Sequence, residues 1–219
     1  MDYSFLAQRV MYLIPLILSL TVHEFAHAWS AYKLGDTTAA EQGRLTLNPL
    51  VHIDLIGTFL LPLLGVPFGW AKPVPVNPVR FRRDVSMGRG MMITAAAGPL
   101  SNVVLAVVCA ITLGLLWRFT PDLLERQQAI GSLLFIGLKM NVALALFNML
   151  PIPPLDGSRV VGGLIPDRYR DAWDRFARFG PILLLATLVV GATFISGPIR
   201  FASALLFKLV TTLRDVGGT

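Results

Sequence analysis

The chain has 219 residues, of which 54% are hydrophobic and only 15% charged, and its mean hydropathy is +0.65. Soluble domains carry about 25% charged residues, so the composition argues against a soluble enzyme and for a polytopic helical membrane protein. The net charge of +6 fits lysines and arginines on loops facing anionic lipid and gives no reason to expect nucleic acid as a partner.

In chain order, the first apolar run is "VMYLIPLILSLTVHEFAHAWSAYK" (10–33), which predicts a spanning helix over about 5–33. "AHA" at 26–28 imitates a signal-cleavage site, but only Arg9, opposed by Asp2, precedes the apolar region, and a membrane protein follows; the segment is read as retained. Residues 50–80 come next. "LIGTFLLPLLGVPFGW" (55–70) contains Gly57, Pro62, Gly65 and Pro67, breakers that argue against a simple span and for a re-entrant segment. In "WAKPVPVNPVRF" (70–81), Pro73, Pro75 and Pro78 alternate with Val74, Val76 and Val79. Proline is confined to sheet edges, so a short extended β-like element is expected there, at the membrane surface.

After a basic loop at 79–89, spans are expected at about 91–117, 131–150, 176–195 and 198–213. Arg200 and Lys208 in the last could snorkel or mark an interfacial helix, and the charged stretch 167–178 reads as a surface element. Cys109 lies inside a span with no cysteine partner and reads as a small apolar residue. The expected fold is therefore an all-α polytopic membrane protein with about five to six transmembrane helices. A re-entrant segment and an extended edge complete one domain over 1–219, with no internal repeat or linker.

His23, Glu24 and His27 stand where a lipid-facing helix would carry leucine. Residues four apart share a helix face, so His23 and His27 can bind one metal ion, and Glu24 is placed to act as general base. A charged side chain near the middle of a span costs roughly 2.5–3.5 kcal/mol on insertion scales, so such residues mark functional sites. A hydrolytic zinc site needs a third protein ligand and an open position. His52, Glu41, Asp54 and Asp156 are candidates. Asp156 stands out because Pro151, Pro153 and Pro154 hold the chain extended before it and Gly157 follows.

"HEFAH" (23–27), "NMLPIPPLDG" (148–157) and "AGPLSN" (97–102), in this order, resemble the site-2 proteases, a family of intramembrane zinc metalloproteases. The resemblance implies one Zn²⁺ per chain on His23, His27 and Asp156, with Glu24 as the catalytic base. It makes Asn148 a contact to substrate or intermediate, and Asn102 is taken as a second such contact. No PDZ-like or CBS-like domain fits into the loops. His52 and Asp54 match no ligand role in the family and read either as a hydrogen-bonding cluster at a helix start or as gating residues. Ala97, Gly98 and Ser101 read as close-packing positions between helices.

Convergence of His23, His27 and Asp156 on one ion constrains the topology, because a full crossing by 55–70 would leave them roughly a bilayer's 30 Å apart. Re-entry brings them together, with the N-terminus outside, the C-terminus cytoplasmic and the site towards the cytoplasmic leaflet of a bacterial or archaeal cell membrane. The expected partners are the lipid bilayer and a transmembrane protein substrate, whose hidden peptide bonds must be unwound; Val74 and Val76 would clamp it by strand addition. The alternatives are a non-hydrolytic zinc carrier or sensor on the same ligands and an inactive scaffold. The sequence leaves the oligomeric state open.

Overall fold

A backbone in lipid must satisfy its own hydrogen bonds, and a helix does so within one segment. The computed structural model, which describes residues 3–65, 69–189 and 191–215, contains seven principal helices. These are α1 (Tyr3–Lys33), α2 (Met87–Phe119), α3 (Gln128–Asn148), α4 (Asp156–Leu164), α5 (Arg170–Ala177), α6 (Gly180–Val189) and α7 (Gly191–Asp215). Four stretches are long and apolar enough to cross a membrane: α1 from Arg9, α2, α3, and α7 from Phe194.

Helix α2 is central and packs against α1, α3, α4 and α7. Its buried positions include Ala95, Gly98, Ala106, Ala110 and Gly114, small residues that permit the close approach on which helix association in lipid depends. Ala106, Ala110 and Leu113 pack with Leu138 and Val142 of α3 and Val210 of α7, while Leu16 and Leu20 of α1 meet Met140 of α3. Cys109 packs into this bundle beside Gly137, as a small apolar residue would. Leu18, Leu100, Val104, Leu185, Phe201 and Leu205 lie exposed on the outside. An apolar surface of this extent is one that bilayer, not water, covers.

Residues 176–195 do not form the single span expected of them. Helix α5 ends at Ala177, and the chain turns at residues 178–179 before α6 begins at Gly180. Gly180 lies against Pro153, on the side of α2 where its helix begins, whereas Val210 and Leu213 lie against Gly114 near the other end. Helices α6 and α7 therefore make one passage, with residue 190 outside the described residues. Helix α1 runs antiparallel to α2, His27 meeting Thr94 and Pro15 lying near Gly137 and Cys109. Arg9 and Asp215 thus end on the same face of the bundle, not on opposite faces as expected.

Residues 55–63 are helical, with Leu55–Leu60 wound as a π-helix whose first N–H groups, Ile56 and Gly57, donate to the Asp54 carboxylate. The chain then returns. Thr58 Oγ1 donates to the Trp70 carbonyl (2.7 Å) and Lys72 N–H to the His52 carbonyl (2.8 Å). Trp70 covers Gly57, where any side chain would collide with the indole. This hairpin enters and leaves on one side of the bundle; Pro67 lies outside the described residues. Residues 71–77 form neither helix nor strand among the described residues, with Asn77 extended, and prolines at 73 and 75 remove ladder donors.

A Cβ at Gly114 would sit 2.9 Å from Leu213 Cβ and 3.0 Å from the Val210 carbonyl. Gly114→Leu should therefore cost about 1–3 kcal/mol by overpacking and lower the midpoint of detergent unfolding, while Val108→Leu on the lipid-facing side of the same helix leaves it unchanged.

Candidate active site

His23 and His27 lie on successive turns of α1, their rings edge to face with centroids 4.6 Å apart and Nε2 atoms separated by 3.0 Å. Each Nδ1 is held from behind. His27 Nδ1 lies 2.8 Å from the Thr94 carbonyl, which can only accept, so Nδ1 carries the proton. The ladder of α2 is open beside that carbonyl because Pro99 has no N–H to give to Ala95. His23 Nδ1 lies 2.6 Å from Asn102 Oδ1. The Asn102 amide is oriented by a chain that starts at another carbonyl: Asn141 Nδ2 donates to Gly137 (2.8 Å), and Asn102 Nδ2 donates to Asn141 Oδ1 (2.8 Å). Asn102 Oδ1 is left to accept from His23. Both imidazoles consequently present bare Nε2 lone pairs to the same point.

Asp156 is the first residue of α4, reached from the end of α3 through a turn-rich segment with three prolines. Gly157 allows that segment to fold onto itself, since a side chain there would collide with the Met149 carbonyl. Asp156 Oδ2 lies 3.2 Å from His23 Nε2 and 3.3 Å from His27 Nε2. Three buried acceptors this close, two without a proton to share, are stable around a cation. Zinc–ligand distances of about 2.0–2.1 Å place tetrahedral corners about 3.3 Å apart, close to the 3.0–3.3 Å separations found. Gly98 completes the cradle: its Cβ would collide with His27 Nε2, so only glycine lets α2 pass beneath both rings. The residues present fit a zinc ion and leave a fourth corner for water.

The three ligands and Glu24 open into a cleft of about 450 Å³ whose walls are largely apolar, among them Leu20, Trp70, Met91 and Leu184. Glu24 Oε2 accepts the Val74 N–H at 2.8 Å. Of the residues expected at the site, Asn148, Val74 and Val76 line the cleft, and the Asn148 amide donates to the Leu144 carbonyl. Asn102 does not reach it. Fully buried behind His23, it orients a ligand and has no access to substrate. Glu41 pairs with Arg80 at the surface, Asp54 caps the hairpin helix, and His52 Nε2 bonds the Thr46 carbonyl, so none of these is a third ligand. Sequence reasoning missed Asn141 and Thr94. Asn141 was detectable as a polar residue inside an apolar span; Thr94 acts through its backbone, which side-chain identity does not report.

Partners behind metal ligands are worth about 10- to 100-fold in metal affinity. Asn102→Ala should weaken zinc retention by about 100-fold and Asn141→Leu, one step further back, by about 10-fold, as read by competition with a graded series of chelators.

The model of peptidase family M50 matches residues 122–191. The chain is 41% identical over 177 residues to YwhC of Bacillus subtilis, a protein named as a proposed zinc metalloprotease, with 80% of this chain and 78% of that one covered. It is 33% identical over 156 residues to Rip2 of Mycolicibacterium smegmatis, similarly named, covering 70% of this chain and 57% of that protein. A third relative so named, MJ0611 of Methanocaldococcus jannaschii, is 46% identical over 71 residues, 31% of each chain. No solved structure matches. A relative at this identity across most of both chains, together with a donor set spaced for zinc, places the chain in peptidase family M50, the site-2 protease family of zinc metalloproteases.

Proposed function

We propose that this protein hydrolyses peptide bonds within or near transmembrane segments of other membrane proteins, as the membrane-embedded step of regulated proteolysis. The observation that carries the reading is a hydrolytic donor set opening into an apolar cleft among membrane-spanning helices. The hairpin whose legs are residues 55–65 and 69–72 dips into the membrane and returns, and four crossings put Arg9 and Asp215 opposite the site. Arg80, Arg82 and Arg83, with Arg168, Arg170, Arg175 and Arg178, lie in loops and short helices on the site's side, and Arg89 lies in the first turn of α2. The positive-inside rule then turns the site to the cytoplasm of a bacterial or archaeal cell.

Zinc held by His23, His27 and Asp156 supplies Lewis acidity, which activates water and polarises a carbonyl. Glu24 takes the proton of the attacking water through Oε1 and returns it to the leaving amine, its Oε2 being engaged by Val74 N–H. A transmembrane helix keeps its peptide bonds in internal hydrogen bonds, so the substrate must be unwound before it is cut. Residues 74–76 receive the unwound strand by main-chain pairing. Val74 N–H faces Glu24, and strand alternation puts Val76 N–H, which has no partner among the described residues, on the same edge. Prolines 73 and 75 leave the opposite edge without donors, so pairing is one-sided. Asn148 lines the cleft close to the reacting bond. A zinc carrier would need ligands strung along a path, and one metal-binding group occurs among the described residues.

Glu24→Gln should keep its zinc by metal analysis while cleavage of a fluorogenic single-span reporter in nanodiscs falls by about 10²- to 10⁴-fold; retained turnover would overturn the assignment. Val76→Pro should raise KM for the reporter with zinc content intact, and an unchanged KM would remove the clamp. Val74→Pro is a different test, because it also strips Glu24 of its N–H donor.

A further inference from the structure

Arg44 sits in a loop that carries no catalytic motif, yet its side chain is buried. A guanidinium out of water requires partners, and those of Arg44 are two successive backbone carbonyls, Lys72 at 2.5 Å and Pro73 at 2.9 Å. The next peptide N–H, that of Val74, is the one that binds Glu24 Oε2 at 2.8 Å. Two consecutive peptide units thus connect a buried cation to the carboxylate, the Pro73 carbonyl and Val74 N–H being opposite sides of one of them, and Arg44 also lies within Coulombic reach of Glu24. On either side the segment is anchored elsewhere, by Lys72 N–H on the His52 carbonyl and Asn77 N–H on Asp36 Oδ2. Arg44 Nε finds no acceptor among the described residues, and a guanidinium with a donor unmet is a costly way merely to fill space.

We propose that Arg44 is the positioning residue of the general base: by gripping the carbonyls of residues 72 and 73 it sets Val74 N–H where it holds Oε2 and leaves Oε1 facing the cleft. The inference rests on the reading of Glu24 as base. A planar fork bridges two carbonyls with fixed geometry; a lysine ammonium is a shorter, rotating point donor that does not reproduce it. A misplacement of about 1 Å in a reacting group is enough for a roughly 100-fold loss of rate.

The test uses the full chain in nanodiscs, following hydrogen exchange at Val74 N–H by NMR, zinc content, and cleavage of the fluorogenic single-span reporter. Arg44→Ala and Arg44→Lys are expected to keep their zinc, to speed exchange at Val74, and to lower kcat by about 100-fold with KM within about threefold of wild type. Added guanidinium ion is expected to restore turnover to Arg44→Ala and not to Arg44→Lys. Combined with Val74→Pro, Arg44→Ala should add no further loss. Loss of zinc in both variants, a rise in KM at unchanged kcat, or additive losses would overturn the proposal. Exchange does not depend on turnover and so separates the two claims: an exchange response with a reporter that wild type leaves uncut upholds the tether and ends the protease reading, whereas unchanged exchange ends the tether.

Discussion

The arrangement depends on two backbone carbonyls, Thr94 and Gly137, that can only accept hydrogen bonds. One takes the proton of His27 directly; the other orients Asn141, then Asn102, then His23. Together they fix both imidazoles in the tautomer that turns lone pairs inward, where Asp156 meets them. In a polar setting, water could satisfy either ring in several ways. Inside a bundle packed by alanine, leucine and valine the choices narrow to one, and a cation is what makes the result stable.

Holding that cluster together in lipid requires backbones to come unusually close. Gly98 admits α2 beneath the rings, and Gly157 admits the segment after α3. These glycines are the steric counterpart of the hydrogen-bond relay: one fixes where protons lie, the other how near the ligands stand. Because α2 contacts α1, α3, α4 and α7, the helix that cradles the ligands also organises the bundle. Stability and chemistry are consequently built on the same element, and changes on its buried face are felt by both.

The hairpin after α1 supplies the remaining part. Its return leg carries residues 71–77 across the mouth of the cleft, tied by Arg44, Glu24 and Asp36. In the proposed clamp, the prolines that keep this segment from joining a sheet leave one edge able to pair with a peptide that has left its helix. Glu24 belongs to both systems, since it faces the metal ligands and accepts from the edge. The proposed clamp and the proposed general base are in contact through a single hydrogen bond.

Much of this was legible in the sequence, for definite reasons. Charged and polar side chains are rare in apolar runs, so His23, Glu24 and His27 announced themselves, and helical periodicity placed the two histidines on one face. Three prolines before Asp156 marked a segment able to deliver a carboxylate from outside a helix, and family resemblance singled it out from Glu41, His52 and Asp54. Breakers in 55–70 foretold a hairpin. That 176–195 and 198–213 share one passage was not legible, because apolar composition cannot say where a chain turns back; the packing of Gly180 on Pro153 and of Leu213 on Gly114 settled it. Nor was Asn102's place behind His23, since an asparagine in a span looks the same whether it faces a cleft or a ligand. Residue identity and spacing thus pointed by themselves to a zinc metalloprotease of this family. Which groups touch, and so the tautomers, the one-sided edge and Arg44's reach towards Glu24, only the tertiary structure decided, because these rest on contacts between residues tens of positions apart.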